Sequence, residues 1–210
     1  MGSNVEMITF EETLNNLVER GDFLTISHCY KGLSKGFIYK FGYCLAWGHI
    51  TEMETLYEDE MEAFCGFWSK SAWMNACHYQ KMSEKFMREH YNDLDWDLVC
   101  HYQNFSESFI DEFSSYVNWG CISAMKPFSI PFIERHIENI DWDYLRLDDL
   151  NENFIREYID YIGFHNLPMK KQLSEDFMRE FADELNWSEI KQYQTLSDSF
   201  KKEFANKLGA

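Results

Sequence analysis

The sequence predicts an all-α protein, a solenoid-like array of short helix pairs that repeats about every 23 residues. Three observations predict it. Copies of one pattern begin at Met82 (MSEKFMREH), Phe105 (FSESFIDEF), Phe128 (FSIPFIERH), Leu150 (LNENFIREY), Leu173 (LSEDFMREF) and Leu196 (LSDSFKKEF), with starts 23, 23, 22, 23 and 23 residues apart. An aromatic marker stands fourteen residues into these copies, at Trp96, Trp119, Trp142, Phe164 and Trp187. Inside a copy the apolar residues recur at helical spacing, as in Phe177, Met178, Phe181 and Leu185, and not in alternation.

The first helix of each copy starts after Ser34, Ser83, Ser106, Ser129, Asn151, Ser174 or Ser197. These side chains accept a hydrogen bond from an orphan N–H of the first turn. Acidic residues often follow, as in Ser174-Glu175-Asp176, where they suit the positive end of the helix. Asp95, Asn118, Asp141 and Asn186 precede the aromatic marker and are placed to cap a second helix, which reads Trp187, Ile190, Tyr193 in its clearest copy. Helices of roughly eight to ten residues are not stable alone in water, so each must bury its apolar stripe on its neighbours.

A more distant copy begins at Leu33 (LSKGFIYKF), with Trp47 as its marker. Trp73 marks a further copy, and the 26 residues from Trp47 to Trp73 imply a three-residue insertion. A weak copy runs from about Phe10 to Phe23, giving eight or nine in all. Residues 1–81 are therefore read as divergent repeats or a lobe, and 82–210 as the regular array. In the copy at Leu196, Lys201 stands where others have Ile or Met, the polar substitution of a capping repeat.

The copies resemble a family of short helical repeat proteins, frequent in large phages and giant viruses, whose units read "LSEDFIREF…W..IS.YQ". The resemblance is strong from Met82 to Leu208, weaker from Leu33 and absent at the extreme N-terminus. It implies a virus-encoded helical repeat protein and brings no catalytic residues with it.

Composition narrows the function. The formal charge is −17, from 36 acidic and 19 basic residues, which argues against binding nucleic acid directly. No apolar run is long enough to span a membrane, and Met1 to Glu6 lacks the features of a signal peptide, so a cytoplasmic location in the host cell is expected. The six cysteines form no C-x2-C pair and are expected to be free, small, buried hydrophobes.

Chemical motifs are few. Cys77-His78 and Cys100-His101 occupy the same place in two copies, but chain neighbours on a helix diverge by about 100°. The expectation is Cys inward, His at the edge and no metal. No P-loop, H-E-x-x-H or G-x-S-x-G occurs, so neither a cofactor nor an enzyme activity is expected. His90 and His136 replace an expected Phe or Tyr and read as packing variants.

The acids suggest a partner. Residues 82–149 carry 14 acids and 5 bases, −9 of the total, and include Asp95, Asp97, Asp141, Asp143, Asp148 and Asp149. A second run holds Glu58, Asp59 and Glu60, and beside it Phe67 and Trp68 are candidate aromatic anchors. Repetition places such carboxylates in rows, which can imitate a phosphate backbone and attract a basic cleft. The expected function is an anti-defence inhibitor acting as a DNA mimic on a host protein such as a defence nuclease. A sponge for a small nucleotide signal, against which stands the lack of a basic cluster beyond the pair Lys170 and Lys171, and an assembly scaffold are the alternatives.

Overall fold

The computed structural model describes residues 12–29, 31–165 and 167–209. The expectations for Met1 to Glu6 and for the beginning of the weak first copy at Phe10 fall outside these residues. Among the described residues every regular element is helical and no strand occurs. Two compact bodies divide the chain between Asn118 and Trp119.

In the first body the leading helices of successive copies are Lys35–Phe41, Glu58–Phe64, Glu84–Glu89 and Glu107–Glu112. The trailing helices are Trp47–Met53, Lys70–Tyr79 and Trp96–Tyr102. Most have six or seven residues, shorter than expected. The leading helix stops early because the residue after it leaves the α region, as His90 (φ −117°, ψ 20°) and Phe113 (φ −110°, ψ 28°) do. Ser34, Ser83 and Ser106 cap as predicted, each accepting the N–H three residues on. The three-residue insertion adds one turn to the front of a trailing helix. Lys70–Tyr79 has ten residues, is capped by Ser69, and carries Trp73 in its interior.

The second body repeats the design with Ile130–Arg135, Glu152–Glu157, Glu175–Glu180 and Asp198–Glu203 as leading helices, and Trp119–Met125 and Trp187–Tyr193 as trailing ones. Two copies depart from it. After Asp141 no second helix forms; Tyr144 and Leu145 donate back to the Asp141 carbonyl and the chain continues in turns. After Phe164 the trailing helix shrinks to Leu167–Lys170.

Within each body the same core positions recur from copy to copy. Phe86, Phe109, Phe132, Phe177 and Phe200 are fully buried at one repeat position, and Met87, Ile110, Ile133, Ile155 and Met178 at the next. Lys201 takes that second position in the last copy and is exposed. Each Trp ring lies near the Phe of the following copy, with centroids at 6.1 Å for Trp96–Phe109 and for Trp119–Phe132 and 6.2 Å for Trp187–Phe200. The indole N–H of Trp47, Trp96, Trp142 and Trp187 donates to the carbonyl five residues earlier, so these large rings, Trp47 buried and the other three half-buried, pack with their polar atom satisfied.

Glutamine brackets join consecutive copies. Gln80 accepts the Leu56 N–H and donates to the Thr51 and Glu54 carbonyls. Gln103 does the same for Met82, Cys77 and Gln80, and Gln194 for Leu173, Pro168 and Lys171. An amide is suited to this because it both donates and accepts. Where the position changes, half of the bracket survives. Glu54 only accepts, from the Leu33 N–H. Lys171 only donates, to the Leu147 and Asp148 carbonyls, and the Leu150 N–H turns to Leu147 instead.

The cysteines correct one expectation. Cys65, Cys77 and Cys100 are buried, but Cys29 and Cys44 are exposed and Cys121 is half-buried. All are free thiols. Cys29 closes a helix and Cys44 a 3-10 turn, where the side chain faces away from the core. No helix among the described residues is long and apolar enough to cross a membrane.

Candidate acidic grooves

Each body carries a groove at an Asp-Trp-Asp motif. In the first body a hollow of about 560 Å³ is lined by Trp68, Trp73 and Trp96, by Asp93, Asp95 and Asp97, and by Lys70. In the second a hollow of about 390 Å³ is lined by Trp119, Trp142, Tyr161, Asp141 and Asp143. The geometry follows from the repeat. The marker Trp of one copy and the Asp-Trp-Asp of the next are one period apart, so their rings and carboxylates face a common hollow.

The carboxylates also serve the fold. Asp95 caps Trp96–Tyr102 by accepting the Leu98 N–H at 3.2 Å. Asp97 is exposed and accepts the Asn118 side-chain amide at 2.7 Å. Asp141 is held through its own N–H, which donates to Ser123 Oγ. Asp143 is exposed, and its carbonyl accepts from Lys170. One such bond leaves acceptor capacity on the Asp95 and Asp97 carboxylates, and the Asp141 and Asp143 bonds are main-chain ones.

The other sequence-predicted residues lie elsewhere. Asp148 and Asp149 are exposed and do not line the second groove; Asp148 faces Arg146 at 3.7 Å. Glu58, Asp59 and Glu60 are taken up by internal bonds. Glu58 receives the Ser83 N–H and hydroxyl. Asp59 pairs with Lys35 at 2.6 Å and accepts from Tyr39, and the Lys35 ammonium holds its carboxyl below the usual range. Glu60 is only 2% exposed and accepts the Tyr57 N–H, because it stands in the leading helix where other copies bury Phe. Phe67 is 56% exposed and meets Tyr43 edge-on at 5.2 Å. Trp68 is buried, and its indole N–H has no hydrogen-bond partner.

The Cys-His pairs separate as expected. Cys77 and Cys100 point inward at 0% and 1% exposure. Burial pushes the Cys77 thiol up to about 11. His78 stacks between Tyr79 and Tyr102, with centroids 4.1 and 3.9 Å away. Lys170 and Lys171, the basic pair considered for a nucleotide, are directed at main-chain carbonyls. Burial pulls the Lys170 ammonium below its ordinary value.

Three carboxylates against one lysine make the first groove a place for a cation, and indole faces add cation–π attraction for a guanidinium or ammonium. Sequence reasoning placed the Asp-Trp-Asp acids and Trp68 separately and did not join them; the shared period of Trp73 and Trp96 was the available signal. Lys70, Trp73, Asp93 and Trp96 are among the lining residues it did not assign to a site. No family model, curated protein or solved structure matches the chain.

Proposed function

We propose that the chain is a non-enzymatic interaction protein of viral origin, a solenoid-like array of helix-pair repeats that binds and inhibits a host protein through its acidic grooves. The partner is a protein with a basic surface, such as a defence nuclease or another nucleic-acid-binding enzyme, met in the host cytoplasm. One observation carries this reading. The same groove of carboxylates and indoles occurs at both Asp-Trp-Asp motifs, and a projecting Arg or Lys suits each. The repeat supplies two copies of a weak cation site on one chain, and linked weak sites gain affinity by effective concentration.

The test is capture of a partner from host lysate at low and high salt, repeated with charge-reversed variants. A partner held by Coulomb attraction is released at high salt, where the screening length falls from about 10 Å to about 3 Å. Asp95→Lys with Asp97→Lys abolishes capture, while Asp148→Lys with Asp149→Lys leaves it intact. A partner that withstands high salt and both double variants overturns the proposal.

A further inference from the structure

At one junction between copies, three departures from the repeat pattern meet. Where Arg88, Arg156 and Arg179 stand in three copies and pair with Glu112, Glu180 and Glu203 of the next, the copy at Leu56 has Glu62, an acid as at Asp111 and Glu134. Three residues on, where others have Tyr91, Ile159 or Ala182, it has Cys65. In the following copy, His90 replaces the Phe or Tyr found as Phe113, Tyr158, Phe181 and Phe204, a replacement shared with His136; only at His90 do a Cys and a Glu of the preceding copy stand beside it. Among the described residues this is the one group of three potential metal ligands whose donor atoms all lie within 4.8 Å of each other.

We propose that Glu62, Cys65 and His90 form a three-ligand site for a divalent transition metal, with zinc as the first choice. His90 Nε2 lies 3.3 Å from Glu62 Oε2 and 3.8 Å from Cys65 Sγ. Metal–ligand bonds of about 2.0 Å to N and O and 2.3 Å to S, at tetrahedral angles, separate N from O by about 3.3 Å and N from S by about 3.5 Å. The two separations from His90 are within a few tenths of an ångström of that geometry, and Glu62 and Cys65 lie within 4.8 Å of each other, so closing the third edge is the larger movement.

The surroundings fit. The His90 ring packs against Phe86 at 4.5 Å and Trp73 at 5.3 Å, which fixes the direction of Nε2. Cys65 is buried, while the Glu62 and His90 side chains are 38% and 19% exposed, so the ion has an entry path and water fills its fourth position. Cys65 binds as the thiolate and its proton passes to water. Thiolate and carboxylate together neutralise a divalent charge. A thiolate, imidazole and carboxylate set suits zinc and excludes calcium and magnesium, which take oxygen ligands.

Titration of the full-length Cys29→Ser, Cys44→Ser protein with Co(II) tests the site, since those substitutions remove the exposed competing thiols. One Co(II) binds per chain with a thiolate-to-metal charge-transfer band, and one equivalent of Zn(II) displaces it. Cys65→Ser in this background abolishes the band. His90→Phe installs the ring that other copies use, keeps the helical circular dichroism, and weakens binding by more than the roughly 10–100-fold typical of outer-shell changes. No band, a band that survives Cys65→Ser, or unchanged affinity in a folded His90→Phe protein overturns the proposal.

Discussion

Gln103 donates to the carbonyl of Gln80 at 2.7 Å, and Gln80 is the residue that fills the same position one copy earlier. Both side chains are buried, at 5% and 3% exposure, so each bracket is shielded from water and each leans on the one before it.

Gln103→Ala strands the Met82 N–H and the Cys77 and Gln80 carbonyls in the interior. A buried polar group without a partner costs about 1–3 kcal/mol, and part of the loss is recovered by local adjustment, so a total of about 2–4 kcal/mol is expected in urea unfolding. Gln172→Ala, at an exposed Gln whose bonds reach the Tyr193 carbonyl and the Thr195 N–H, costs less than about 1 kcal/mol.

Gly42→Ala destabilises the first body. A Cβ at Gly42 comes within 2.3 Å of the Phe64 ring, which is 2% exposed and stacked on Trp47 at 5.1 Å, so the ring has no room to yield. Overpacking of this kind costs about 1–3 kcal/mol. Phe64→Leu added to Gly42→Ala recovers part of it, and the double-mutant cycle reads the coupling directly.

Trp68→Phe is tolerated better than Trp96→Phe. Both lose ring volume, but Trp96 also loses its bond to the Tyr91 carbonyl, whereas Trp68 loses an N–H that bonds to nothing. The difference in unfolding free energy is about 1 kcal/mol.

The Cys77 thiol makes stability fall in alkali. Its folded value of about 11 lies above the ordinary thiol value of 9.0, so the folded chain holds a proton that the unfolded chain releases. The contribution is whole below pH 9 and is lost as pH rises from 9 towards 11. At 1.36 kcal/mol per unit it amounts to roughly 2–3 kcal/mol. Unfolding measured at pH 8 and pH 10.5 shows this slope, and Cys77→Ala reduces it. At neutral pH a thiol reagent labels Cys29 and Cys44 rapidly and Cys77 slowly.

The helical class and most of its punctuation were legible in the sequence. Phe at a fixed distance after Ser or Asn states the leading helix and its cap, because both are local requirements of one turn. What failed was local too. The helix expected after Asp141 is absent although Asp-Trp-Asp is the same at Asp95: Tyr144 and Leu145 donate back to the Asp141 carbonyl and the turn is not continued, in the copy that is 22 residues long, and the helix propensity of Tyr144-Leu145-Arg146-Leu147 does not explain it. The acids at 58–60 looked like surface because burial of Glu60 depends on a main-chain N–H that composition does not reveal. His90 was visible as an exception, but its meeting with Glu62 and Cys65 spans 28 residues and depends on the stacking of two copies.

The inserted turn at Lys70–Tyr79 has a consequence for how such a chain changes length. It sits ahead of Trp73, upstream of Gln80, and leaves the Gln80 bonds to Leu56, Thr51 and Glu54 in place. The front of a trailing helix is thus an expansion joint: residues added there lengthen one element without breaking a bracket. Anywhere between a glutamine and the start of the next copy, a single added residue shifts a donor against its acceptor. Indels in related chains are expected at the first place, and whole-period gains or losses elsewhere.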